Sequence, residues 1–291
     1  MTPSHTEELV YATTEDGLLL EGIAMNPAGT SQLRAAIVWI HGNAASFSAP
    51  AYVRIGRELA ALGYPAVIGN TRGHDIACML WRVDESIPSG GGAGWERLEE
   101  SPRDLAAWVG VATAMGAERV ILAGHSSGAQ RVVLYQAERQ DKRVAGLVLA
   151  SPDLRGFLPP GELEEARRMV MAGHGLDVTP AQPWAAWYRQ SAETVVGKAT
   201  LLAHMLEADG EDGGRPPIIA SIQSPILAFC GTREPGNSET MLETIAQRAG
   251  SAASVDKEML ADADHFYTGH EADAAALIAQ WVATRLQERA L

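Results

Sequence analysis

The chain has 291 residues, 46% apolar and 20% charged, a composition that supports a buried core and excludes a largely disordered chain. Twenty-three basic against 36 acidic residues give a formal charge of −13, which repels a phosphate backbone and argues against nucleic-acid binding. The same charge disfavours strongly anionic substrates unless the pocket carries cations of its own. Only Cys78 and Cys230 are present; without a disulfide or metal-type spacing they read as inert core thiols. The first residues hold no basic segment followed by an apolar one, and no apolar stretch approaches the roughly 18 residues that span a bilayer. A cytoplasmic protein without a membrane segment is expected, and nothing in the pattern fixes an oligomeric state.

Two strand-like runs, 9–13 and 18–25, flank the turn signal Glu15-Asp16-Gly17 and predict an antiparallel hairpin. Residues 35–40 are a short apolar, β-branched run suited to a strand buried on both faces, ending in His41-Gly42-Asn43. A helix is expected over 51–62, stopped by Gly63, and a strand over 66–68. Gly90-Gly91-Gly92-Ala93-Gly94 reads as a flexible loop. Pro102 opens a helix over 102–115 with Gly116 past its end. A strand over 119–123, a helix over 128–138 and a strand over 144–150 follow. Such alternation predicts an α/β fold with a mostly parallel central sheet flanked by helices.

The rhythm then breaks. Residues 153–224 offer no clear buried strand, but an amphipathic stretch at 162–171, the aromatics Trp184, Trp187 and Tyr188, and a helical stretch near 193–208. This segment reads as a helical cap inserted into the core, which is formed by 1–152 and 225–291. The sheet resumes with 226–230, a helix over 239–248, a strand over 255–260 and a final helix over 272–289.

The strongest chemical signal is Gly124-His125-Ser126-Ser127-Gly128, placed between a strand and a helix. A serine is lifted out of such a turn only if the backbone bends sharply. Glycines two before and two after it remove the Cβ atoms that would clash in the bend. The following helix N-terminus aims amide donors at the same place.

Together with His41-Gly42-Asn43, Asn70-Thr71-Arg72-Gly73-His74 and Asp264-His265-Phe266, this turn makes nearly the whole chain resemble the α/β-hydrolase fold family. The stretches 70–75, 135–137 with Gln140-Asp141, and 144–152 also resemble a group of bacterial and fungal hydrolases, one fungal branch of which cleaves siderophore esters. That substrate is not carried over. The family resemblance implies Ser126 as nucleophile and His265, after the last strand, as general base. His270 is the alternative base, but it stands at a helix start, where the dipole disfavours an imidazolium. The implied acid is Glu234, in the order nucleophile, acid, histidine; aspartate is commoner there, and Asp153 is the rival. The oxyanion donors implied are the amides of Ser127 and of Asn43, or of Ala44 in its place.

Trp184, Trp187 and Tyr188 are expected either to line the substrate pocket, implying an apolar or ring-containing acyl substrate, or to pack the cap onto the core. His41, His74 and His125 are expected to stabilise loops around the site. No metal-ligand spacing, phosphate loop or dinucleotide fingerprint is present, so no cofactor and no metal are expected. The function expected is a serine hydrolase cleaving a carboxylic ester or lactone as a small-molecule substrate. An amide, thioester or C–C bond on the same triad, or a non-catalytic ligand-binding protein on this fold, remain the alternatives.

Overall fold

Strand and helix order follows the apolar patterning closely. The structure is a computed structural model that describes residues 5–29, 35–156, 158–159, 161–180, 188–208, 214–236 and 238–288. Its strands are β1 (His5–Thr13), β2 (Leu18–Pro27), β3 (Ala35–Ile40), β4 (Ala66–Gly69), β5 (Cys78–Arg82), β6 (Ser89–Gly91), β7 (Arg119–His125), β8 (Val144–Ala150), β9 (Ile226–Gly231) and β10 (Val255–Leu260). The helices are α1 (Pro50–Ala61), α2 (Ser101–Ala114), α3 (Gly128–Arg139), α4 (Glu162–Met171), α5 (Ala192–Leu202), α6 (Ser238–Arg248) and α7 (Glu271–Glu288).

One sheet runs in the order β10-β9-β8-β7-β3-β4-β2-β5-β6, with β1 paired to β2. From β4 to β10 every pairing is parallel; β1, β2, β5 and β6 add antiparallel strands at the other side. Alternate side chains point to opposite faces. Ala36, Val38 and Ile40 of β3 join one core with residues of α2, α3 and α6, while Ile37 and Trp39 join a second core with residues of α1 and α7. Being buried on both faces is why these strands read as continuous apolar runs.

The parallel strands end at a common edge, so the segments following β3, β4, β7, β8, β9 and β10 gather there, where open α/β sheets place their sites. Below that edge Trp108 of α2, fully buried, lies flat on the backbone of β2 and β4. A Cβ on Gly22 or Gly69 would sit 2.5 or 2.2 Å from its ring. Its indole N–H donates to the Asn70 carbonyl at 2.7 Å, and the Asn70 side-chain oxygen accepts the Phe47 amide at 2.8 Å, tethering the segment after β3.

Three expectations need correction. Residues 90–94 are not a flexible loop: Ser89–Gly91 pairs with β5, and Gly91 to Gly94 are buried. The Ala93 and Gly94 carbonyls accept from the Gln190 side chain and the Ser191 amide, at 3.0 and 2.7 Å, so this strip receives the inserted segment. Cys230 is a core residue of β9, but Cys78 is only half-buried, on β5. The helix expected near 193–208 stops at Leu202, because Met205 and Leu206 turn inward and become fully buried.

Replacing Trp108 with alanine should cost about 3–5 kcal/mol, as for other buried large aromatics. Urea unfolding of the variant and the parent at pH 7 checks this.

Candidate active site

The bend after β7 carries the first group. Ser126 has φ 54°, left-handed backbone that costs an L-residue about 1–2 kcal/mol. Its amide donates to the Ala150 carbonyl at 2.9 Å and its carbonyl accepts from Ala129 and Asp153 amides at 3.0 and 3.2 Å. The two glycines are required by close approach. A Cβ on Gly124 would lie 2.3 Å from the Gly128 carbonyl oxygen, and one on Gly128 would lie 2.5 Å from the Ile40 carbonyl oxygen. The elbow is therefore pressed onto the end of β3, beside Gly42-Asn43.

The second group lies after β9 and β10. His265 Nδ1 is 3.0 Å from Glu234 Oε2. The other Glu234 oxygen accepts from the Gly231 amide at 2.6 Å and from Ser151 Oγ at 2.5 Å. Since Ser151 spends its one proton on Glu234, the Tyr267 hydroxyl donates to Ser151 Oγ, also at 2.5 Å. Burial by itself would raise the Glu234 carboxyl; the hydrogen bonds from His265, Ser151 and Gly231 outweigh it and hold the group below its ordinary value. Glu234 is thus an anion fixed against the imidazole.

His125 ties these groups together. It stands next to Ser126 and is fully buried. Burial, with His265 close by, pushes its imidazole down to about 4, so it is neutral at pH 7. Its Nε2 lies 2.7 Å from the His265 carbonyl, which only accepts, so the proton is on Nε2. Nδ1 is then bare and accepts from the Tyr52 hydroxyl at 2.8 Å, while the Tyr52 oxygen accepts the Gly42 amide at 3.1 Å. The His125 and His265 rings are 4.8 Å apart. One line of hydrogen bonds therefore spans the segments after β3, β7 and β10.

His41 does similar work. Its Nε2 accepts the Thr71 amide at 3.0 Å and its Nδ1 donates to the Gly42 carbonyl at 2.7 Å. Burial and nearby Arg131 push it down to about 3. His74 pairs with Asp75 at 2.8 Å. In the segment after β4, Arg72 forks onto fully buried Asp104 and reaches Asp16 and Glu100.

A cavity of about 290 Å³ opens beside the elbow, lined by Asn43 and Ser127 and by Val195, Lys198, Ala199 and Leu202 of α5. Tyr188, Leu158 and Asp153 also line it, and the Tyr188 hydroxyl donates to the Asn43 side chain at 3.0 Å. Glu234 and His265 are brought together, and His125, the neighbour of Ser126, donates to the His265 carbonyl. Asn43 and Ser127 both line the cavity. Ala44 lies in the Gly42–Ala45 turn at φ 50° and is not among the lining residues. Asp153 faces the cavity, with its carboxylate accepting the Gly156 amide at 2.8 Å. His270 pairs with Asp273 at 2.9 Å. Trp184 and Trp187 lie outside the described residues. Missed from sequence were Tyr52, Ser151 and Tyr267, which support the histidine and the acid, and the cavity residue Lys198.

With this geometry in hand, the comparisons give the class. The chain belongs to the alpha/beta hydrolase family, whose model matches residues 37–280. Among solved structures it is similar to Est1E from Butyrivibrio proteoclasticus, in a structure with ferulic acid bound, at 15% identity and a TM-score of 0.67, covering 96% of this chain and 99% of that one. It is also similar to the esterase Pf2001 of Pyrococcus furiosus, at 17% identity and a TM-score of 0.61, covering 98% and 96%. At such identities the likeness is one of fold. No curated protein matches the chain. Among the described residues no helix is long and apolar enough to cross a membrane.

Because His41 and His125 are neutral when folded and ordinary imidazoles near 6.5 when unfolded, the unfolded chain binds more protons below that pH. Stability is complete above pH 6.5 and is lost as pH falls toward the folded values, by up to about 1.4 kcal/mol per pH unit for each histidine. A His125→Leu variant should be less stable at pH 7 yet lose about one proton's worth of this slope between pH 6.5 and 5. Urea unfolding at pH 7, 6 and 5 measures it.

Proposed function

We propose that the protein is a serine hydrolase that cleaves a carboxylic ester or lactone through Ser126, His265 and Glu234. The observation that carries this reading is the Glu234–His265 pair at 3.0 Å, held against the elbow by His125. Ser126 Oγ attacks the carbonyl carbon as His265 Nε2 takes its proton, and Glu234 steadies the imidazolium that forms. The amides of Asn43 and Ser127 hold the oxyanion, the latter favoured by the N-terminus of α3. The tetrahedral adduct collapses, the alcohol leaves with the proton from His265, and an acyl-enzyme remains. Water, deprotonated by His265, then releases the acid and restores Ser126.

Residues 153–224 serve in this reading as a helical cap. Leu158, Val195, Ala199 and Leu202, which come from it, give the cavity an apolar wall suited to an apolar or ring-containing acyl chain. The esterases of similar fold are consistent with ester chemistry.

A fluorophosphonate probe should form an adduct on Ser126, found by peptide mass spectrometry, and form it far more slowly in His265→Ala and Glu234→Gln proteins. Ser126→Ala should lower ester turnover by about 10⁴-fold or more while unfolding like the parent. Turnover at the parental rate in that variant would overturn the reading.

A further inference from the structure

The cavity contains a charge arrangement that ester cleavage alone does not require. Glu96, fully buried, is gripped by both arms of fully buried Arg131, whose Nε and Nη2 donate to its two oxygens at 2.8 and 2.7 Å. Lys198 Nζ approaches one of those already occupied oxygens at 3.2 Å. Two cations thus share one carboxylate, leaving a formal excess of one positive charge. Burial of unbalanced charge is costly, and an ammonium has three donors to place. Among the described residues Glu96 is the one ion-pair partner of Lys198, whose side chain is 13% exposed and lines the cavity.

Asp153 shares the cavity and its charge favours the Lys198 ammonium from a distance, but it forms no ion pair with Lys198; it accepts the Gly156 amide, and burial raises its carboxyl. Half-exposed Arg155 adds another cation to the lining, 4.0 Å from Glu207. Burial also lowers the Lys198 ammonium, with Glu96 opposing. A bound anion would relieve that strain. In a chain of net charge −13 such a cationic spot is a local exception rather than part of a basic surface. Val195 and Leu202, one turn before and after Lys198 on α5, share its face and line the same cavity.

We propose that Lys198 is a specificity-determining residue and that the preferred substrate carries a carboxylate at the far end of an apolar acyl chain. The chain would lie along Leu158, Val195 and Leu202, with the carboxylate on Lys198 Nζ and the ester carbonyl at Asn43 and Ser127. This rests on Ser126 being the nucleophile.

The test compares the mono-p-nitrophenyl ester of adipic acid with its neutral methyl-capped analogue. The parent protein should favour the acid by about tenfold or more in kcat/KM, mostly through KM, the scale of one charge-assisted hydrogen bond. Lys198→Met and Lys198→Gln should bring the ratio close to one. Calorimetry with monomethyl adipate on Ser126→Ala protein should show binding that the added Lys198→Met substitution weakens by the same factor. Equal efficiency on the two esters in the parent, or a preference that survives both Lys198 variants, would overturn the proposal. Absence of turnover and of fluorophosphonate labelling would instead overturn the nucleophile reading, and the binding measurement on Ser126→Ala protein would still decide for or against Lys198.

Discussion

His125 owes its influence to being buried and uncharged. A protonated ring could not accept from Tyr52 at Nδ1, and the line from the Gly42 amide to the His265 carbonyl would break in the middle. Neutrality is enforced by desolvation, so the core built by Trp39 and Tyr52 around the ring is also what fixes its tautomer. The residue preceding the serine therefore sets where the imidazole-bearing segment sits. Ser151 and Tyr267 do the equivalent for the acid, so that Glu234 and His265 meet with little freedom left in either.

The inserted helices meet this frame at few but specific points. Gln190 and Ser191 dock on the Ala93–Gly94 backbone, Tyr188 reaches Asn43, and Lys198 reaches the Glu96–Arg131 pair. Arg131 belongs to α3, the helix that begins at the elbow. The charge pair thus connects the helix behind the proposed nucleophile with the helix that walls the cavity.

The parallel half of the sheet is legible in the sequence because strands covered on both faces must be apolar throughout, as Ala35–Ile40 and Val144–Ala150 are. The elbow is legible because its glycines answer a local steric demand. The strand β5 escapes because it is short and its apolar Met79 and Trp81 are exposed, and β6 because Ser89–Gly91 has no apolar side chain to show a period. The sequence leaves Glu234 and Asp153 both open as partners of the histidine, and tertiary folding puts Glu234 against the His265 ring nitrogen while Asp153 accepts the Gly156 amide. Supports such as Tyr52 with His125 and Ser151 with Tyr267 lie 73 and 116 residues apart, so no local spacing announces them. The Glu96–Arg131–Lys198 cluster is hidden for the same reason: its members are far apart in the chain, and only tertiary packing brings them together and removes the water.

The contact of Gly128 with the Ile40 carbonyl has a kinetic meaning. Strand β7 lies between β3 and β8, so its neighbours come from segments roughly 80 residues before it and 25 after it in the chain. Pairings of such separation form late, because loop closure has to be overcome before any contact rewards it. The strained turn at Ser126 is held by the Ala150 carbonyl of β8 and pressed onto the end of β3, so it is complete only when both strands are in place. A partly folded chain would hold helices and a hairpin but no bent serine, and the elbow would emerge only with the completed sheet.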